Sequence, residues 1–195
     1  MKRVIAGALA LTLVLAPTSA IAHRLMAAGT AAQVARSDLT VTPGIEWNRL
    51  SQRPGPMAER WTLDGELLND LIFFGGVESG TPLFREVDRR DNPLPQFSST
   101  MLPTDIPPLL ETSLRITQNI STFEVVRVAP RPFLGASGVE FEYRMLGGDD
   151  ITRQGRAVAA IVGGKLFMIT YDAPAEYFFA RSSADVDRII ASATL

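Results

Sequence analysis

The stretch ITRQGRAVAAIVGGKLFMITYDAP, residues 151–174, sets two long apolar-rich runs on either side of Gly163-Gly164. Paired glycines supply positive φ without strain, which the two-residue turns of β-hairpins require. A hairpin here fixes its own register, with Val162 facing Lys165 and Ala160 facing Phe167, small side chains opposite large ones. Upstream, GVEFEYRML alternates strictly. It puts Val139, Phe141, Tyr143 and Met145 on one face and Glu140, Glu142 and Arg144 on the other. Gly147-Gly148-Asp149-Asp150 turns that strand into the hairpin, so successive strands are joined by short turns and run antiparallel.

Leu166–Tyr171 is apolar on both sides of the alternation, as a central strand covered on both faces would be. Pro174 ends the strand and Glu176 suits the start of a helix. Tyr177, Phe178 and Phe179 then pack that helix onto the sheet. On this reading the aromatic stretch around Asp172 is core, not a catalytic site. The closing helix starts after Pro174 or is recapped at Ser182, with Asp185 at capping-box spacing, and Val186, Ile189 and Ile190 form its apolar stripe.

The first half reads in the same way. Leu39 and Val41 alternate with Thr40 and Thr42, and Pro54-Gly55-Pro56 marks a loop. Strands are expected around Glu59–Leu63 and Asn69–Val77, with Asp64-Gly65 as the turn between them. Residues 78–103, rich in Gly, Pro, Asp and Arg, form a long surface excursion. In PTDIPPLLETSLRIT, Thr104 is the N-cap, Asp105 favours the positive helix end, and Pro107 and Pro108 fit only the first turn. Ile106, Leu109, Leu110 and Leu114 share one face. FEVVRVA is a strand ended by Pro130 and Pro132. The sum is an α+β chain, a mostly antiparallel sheet flanked by helices.

The N-terminus has the parts of an export signal. Lys2 and Arg3 precede the apolar run Val4–Ala16, and Ala20-Ile21-Ala22 fits the cleavage pattern. The run is shorter than the ~20 residues that span a bilayer. Residues 1–22 are therefore read as a signal peptide, 23–37 as a flexible leader and 38–195 as a single domain. The expected location is periplasmic or secreted, with no transmembrane anchor after cleavage near Ala22. The chain has no cysteine, which excludes disulfides, thiolate metal sites, a cysteine nucleophile and a lipid-bearing cysteine. Its net charge is −2 and the signal removes two of its cations, so no nucleic-acid partner is expected.

In its meander VEFEYRML…ITRQGRAVAAIVGGKLFMITYDAP and its closing SSADVDRIIASATL, the chain resembles the PsbP-like α/β/α sandwich superfamily. EWNR, WTLDG, LNDLIFFGG and PLPQFSSTMLPTDIPPLLETSLR stand at matching places, as in exported bacterial proteins of that kind. The resemblance covers about residues 38–195 and implies an α/β/α sandwich. That group includes binding and assembly factors and has no shared active site to carry over. The metal-binding histidines of some photosystem members have no counterpart in this domain.

Group by group, the residues offer little catalytic chemistry. His23 is the only histidine, which excludes a Ser-His-Asp triad and a multi-histidine metal site within one chain. As a new N-terminus it lacks the second histidine that a copper brace needs. Asp149-Asp150 and Asp185/Asp187 lack the spacing of a calcium loop. Ser98 or Ser99 with Lys165 is a poor dyad, because lysine after a hairpin tip points into water. Glu140 and Glu142, about 7 Å apart along a strand, are the best carboxylate pair, with Arg144, Arg153 and Arg156 as expected partners. Trp47 and Trp61 are candidate pocket-lining residues, and Arg85, Arg89 and Arg90 in the excursion are candidate recognition residues. The expectation is a non-enzymatic envelope module binding an envelope protein or a small ligand, with no cofactor and no metal. A small-ligand carrier and a carboxylate-dependent hydrolase or lyase are the alternatives.

Overall fold

The computed structural model describes residues 24–195. The signal-peptide reading of residues 1–22, and His23, lie outside the described residues. Along the chain run β1 (Arg24–Met26), β2 (Ala32–Gln33), β3 (Thr40–Val41), β4 (Trp47–Arg49), β5 (Ala58–Thr62) and β6 (Asp70–Val77). They are followed by α1 (Ile106–Gln118), β7 (Thr122–Pro130), β8 (Gly138–Leu146), β9 (Thr152–Val162), β10 (Lys165–Pro174) and α2 (Phe178–Ala191). One sheet takes the order β1-β4-β5-β6-β10-β9-β8-β7, and each neighbouring pair is antiparallel. The short strands β2 and β3 pair separately. At the hairpin tip Gly163 and Gly164 both have positive φ, and Val162 pairs with Lys165 and Ala160 with Phe167, the expected register.

Alternation along the central strands feeds two cores. Ile72, Phe74, Phe141, Tyr143 and Met168 point to one face, where Leu109, Leu110 and Leu114 of α1 cover them. Leu71, Phe73, Ile169 and Tyr171 point to the other, against Val186, Ile189 and Ile190 of α2. Every residue of β6 is buried, as a strand covered on both faces must be. The result is an α/β/α sandwich around an antiparallel sheet.

Three local expectations are corrected. Residues 24–37 are not a flexible leader: β1 extends the sheet beside β4, and Met26, Ala32, Val34 and Ala35 are buried in the α2-side core. Strands of two or three residues are too short to show a period in the sequence. The 78–103 excursion is anchored as a cover, because Leu83, Phe84, Leu94 and Phe97 belong to the α1-side core, while its tip at residues 87–93 and its two ends are exposed. At α1 a 3₁₀ turn, Pro103–Asp105, comes first, and the Asp105 carboxylate accepts the Leu102 N–H at 2.7 Å. Asp105, not Thr104, therefore closes the helix start. Helix α2 begins at Phe178 and runs through the buried Ser182 without a new cap.

Candidate functional site

Trp47 and Trp61 line none of the four main clefts among the described residues. Both are wholly buried, because the 24–37 segment and α2 cover their face of β4 and β5. The Trp61 Nε1–H donates to Glu59 Oε1 at 2.9 Å, and its ring meets Phe73 edge-on at 4.8 Å. Arg85 borders a groove with Arg53, Arg60 and Ile116, Arg89 reaches Glu86 at 3.5 Å, and Arg90 is exposed at the excursion tip. Glu140 is held by Arg131 at 2.8 Å and Arg156 at 2.9 Å, and Glu142 by Arg127 at 3.3 Å. This face is charge-paired as expected, but Arg127 and Arg131 beside β8 replace Arg144 and Arg153 as partners.

The structure brings together a different carboxylate pair. Register places Asp172 of β10 directly opposite Asp70 of β6. By the alternation that sends Ile72, Phe74 and Met168 to the α1 side, both carboxylates face that side too. They are 7% and 5% exposed, which makes them the two buried aspartates of the described chain. An open cleft of about 500 Å³ ends on them. Its walls include Arg60, Glu66, Arg153 and Thr117, the last from the end of α1. Behind the pair, Gly155 of β9 faces both Asp172 and Tyr143, and the Tyr143 ring lies across the space a Cβ at Gly155 would fill.

Few neighbours stabilise these carboxylates. Arg60 Nε stands 2.9 Å from Asp70 Oδ1, yet neither buried atom has a hydrogen-bond partner among the described residues, so the contact is a misaligned ion pair. Arg60 also gives Nη1 to Glu66 Oε2 at 3.0 Å. Arg153 is spent on the Asp149 carboxylate at 2.7 Å and the Leu67 carbonyl at 3.2 Å. Around Asp172 act burial and the charges of Asp70, Arg153 and Arg60. Burial first, and then the facing Asp70 charge, push Asp172 up to about 8. Asp70 is raised to about 6, again mainly by burial, with Arg60 opposing. These values belong to the pair, which takes one proton as pH falls through about 8 and a second near about 6. Burial and the same two carboxylates also hold the Tyr143 hydroxyl well above its ordinary range.

A buried carboxylate without a partner at the floor of a cleft suits one of two tasks. It can hold a cation, or it can exchange a proton with its neighbour. No cluster of three or more His, Cys, Asp or Glu side chains suited to a metal ion occurs among the described residues. The sequence assigns the aromatic stretch around Asp172 to core, and Asp70 lies far away in the chain, so the pair is not visible there. The one signal in the sequence is an acid near the start of the strand expected at Asn69–Val77 and another just past Leu166–Tyr171.

No protein-family model and no curated protein matches the sequence. Among solved structures, the chain is similar to cyanobacterial PsbP, CyanoP, from Synechocystis sp. PCC 6803. The TM-score is 0.51 at 15% identity, covering 92% of this chain and 96% of that one. LpqN, a protein involved in cell envelope biogenesis of Mycobacterium tuberculosis, aligns over 88% of this chain and 90% of its own at 11% identity. Its TM-score of 0.35 is too low to bear on the fold. The chain has a PsbP-like fold.

Proposed function

We propose that the protein is an exported, non-enzymatic binding module of the cell envelope, and that its acidic cleft takes a cationic group from a partner or small ligand. The observation that carries this reading is the Asp70–Asp172 pair, buried at the floor of an open cleft, with Asp70 Oδ1 lacking a hydrogen-bond partner among the described residues. Four acids, Glu66, Asp70, Asp149 and Asp172, stand there against two arginines, Arg60 and Arg153, so an added cation relieves repulsion within the cleft. An ammonium or guanidinium at the pair supplies the donor that Asp70 Oδ1 lacks and displaces the proton held there. Affinity then rises with pH between about 6 and 8. No helix among the described residues is long and apolar enough to cross a membrane.

Propylammonium and methylguanidinium, the bare heads of lysine and arginine side chains, are the probes. In amide-resolved NMR titrations they should shift signals at Asp70, Asp172 and Arg153. The shifts should weaken as pH falls from about 8 to about 6 and vanish in Asp172→Asn. Equal shifts in wild type and variant would end the reading. The split between the two carboxylates also favours a general acid and base, as in other unequal carboxylate pairs. A turnover found by broad substrate screening and lost in both Asp70→Asn and Asp172→Asn would put that enzymatic reading first.

A further inference from the structure

A second polar centre lies at the other end of the same strand pair and on the other face of the sheet. Glu59 of β5 is 1% exposed and crowded with donors. Its Oε2 accepts the Ala35 N–H at 3.1 Å and stands 2.9 Å from Arg49 Nη2 and 3.5 Å from Arg53 Nη2. Its Oε1 is taken by the Trp61 indole. One carboxylate thus serves two guanidiniums, and Arg36 and Arg49 both raise the positive field at Arg53. Arg53 Nη1 is buried with no hydrogen-bond partner among the described residues. These groups open into a cleft of about 540 Å³ that also carries Lys165 and the backbone of Gly75 and Gly76.

The surplus is one of positive charge with unspent donors. Lys165 reaches Glu78 at 3.0 Å at the rim, where both partners are half-exposed or more. Beneath it Arg49 and Arg53 share the one buried carboxylate, whose Oε2 also takes the Ala35 N–H, and exposed Arg36 and Asp38 complete the lining, so cationic side chains still outnumber acids there. Ala35 and Arg36 both hold left-handed φ, at 55° and 54°, a costly conformation for residues with side chains. Gly75 lets this stretch approach β6, for Ser37 fills the space a Cβ there would need. The strained corner thus presses Arg36 against the cleft beside Arg49 and Arg53.

The geometry points to an oxyanion site: a phosphate, sulfate or carboxylate group enters this cleft, bridges Arg36, Arg49 and Arg53, and satisfies Arg53 Nη1. Guanidinium forks match the paired oxygens of such groups, and two or three arginines around one anion are the common arrangement for holding it. The site is separate from the acidic cleft in place, in face and in charge.

The test is calorimetric titration of the folded chain with inorganic phosphate, sulfate and acetate, at ionic strength held constant with sodium chloride. Tryptophan emission serves as a second readout, since Trp61 is bonded to Glu59. Saturable binding is expected, and its strength across the three ions identifies the favoured group. Arg53→Gln should weaken the best ion by about tenfold or more, as loss of a charge-assisted pair does. Arg36→Gln, a change at an exposed side chain, keeps the test valid if the first variant folds poorly, and it should weaken binding severalfold. Heats no larger than those of chloride, or equal affinity in wild type and Arg36→Gln, would overturn the site.

Discussion

A carboxylate buried beside a second carboxylate weakens the fold whenever it carries charge, and at Asp172 that cost depends on pH. The folded chain keeps a proton there up to about pH 8, whereas the unfolded chain releases it near about pH 4. Between those limits the folded state binds more protons than the unfolded state, so stability falls as pH rises. The contribution is fully present below about pH 4 and is lost above about pH 8. Asp172→Asn keeps the shape and removes the titration. Urea midpoints at pH 5, 7 and 9 should therefore show the variant gaining on the wild type as pH rises, by up to about 4 kcal/mol over the range. Parallel pH profiles for the two proteins would show that Asp172 is charged throughout and the cleft already compensated. Glu59 is the opposite case, a buried carboxylate with more donors than it can serve. Neither environment is visible in the sequence, because both depend on partners brought together by sheet register. Asp172 meets Asp70 across β6, and Glu59 meets Ala35 across the N-terminal segment.

At the scale of elements, legibility follows length and period. The hairpin of β9 and β10 was readable from Gly163-Gly164 and the apolar runs beside it, and the face of β8 from strict alternation over nine residues. Residues 24–37 were not readable, since small residues in strands of two or three positions carry neither period nor bulk. Their burial is a tertiary effect, yet it is substantial: Val34 and Ala35 are fully buried, and Met26 and Ala32 nearly so. A chain beginning at residue 38 should accordingly lose more than about 3 kcal/mol relative to one beginning at residue 24, from uncovering these side chains and the face of β4 and β5 beneath them. Denaturant midpoints and hydrogen exchange at Trp47 and Trp61 measure this. A truncated chain with unchanged midpoint and unchanged indole protection would mean that the segment only rests on the sheet. The excursion obeys the same logic. Leu94 and Phe97 anchor it, so recognition at Arg85, Arg89 or Arg90 is better probed by substituting those side chains than by excising the loop.

On the scale of the whole molecule, β6 and β10 act as a shared spine with chemistry of opposite sign at its two ends. From Asp70 to Gly75 along β6 is about 17 Å at the rise of an antiparallel strand, and alternation turns the two centres to opposite faces. Between them every β6 side chain is packed on one core or the other, with no chain of polar groups running through. Each cleft also draws on elements the other does not touch: α1 and the β8–β9 turn for the acidic one, the N-terminal segment and β4 for the basic one. Such separation predicts independence. In a double-mutant cycle with Asp172→Asn and Arg53→Gln, the stability changes should sum within about 0.5 kcal/mol. Phosphate affinity at the basic cleft should likewise be the same in the presence and absence of propylammonium. A coupling energy above about 1 kcal/mol, or a phosphate affinity that shifts with the amine, would mean that the β6–β10 pair moves as a unit between two arrangements. The two clefts would then be halves of one switch.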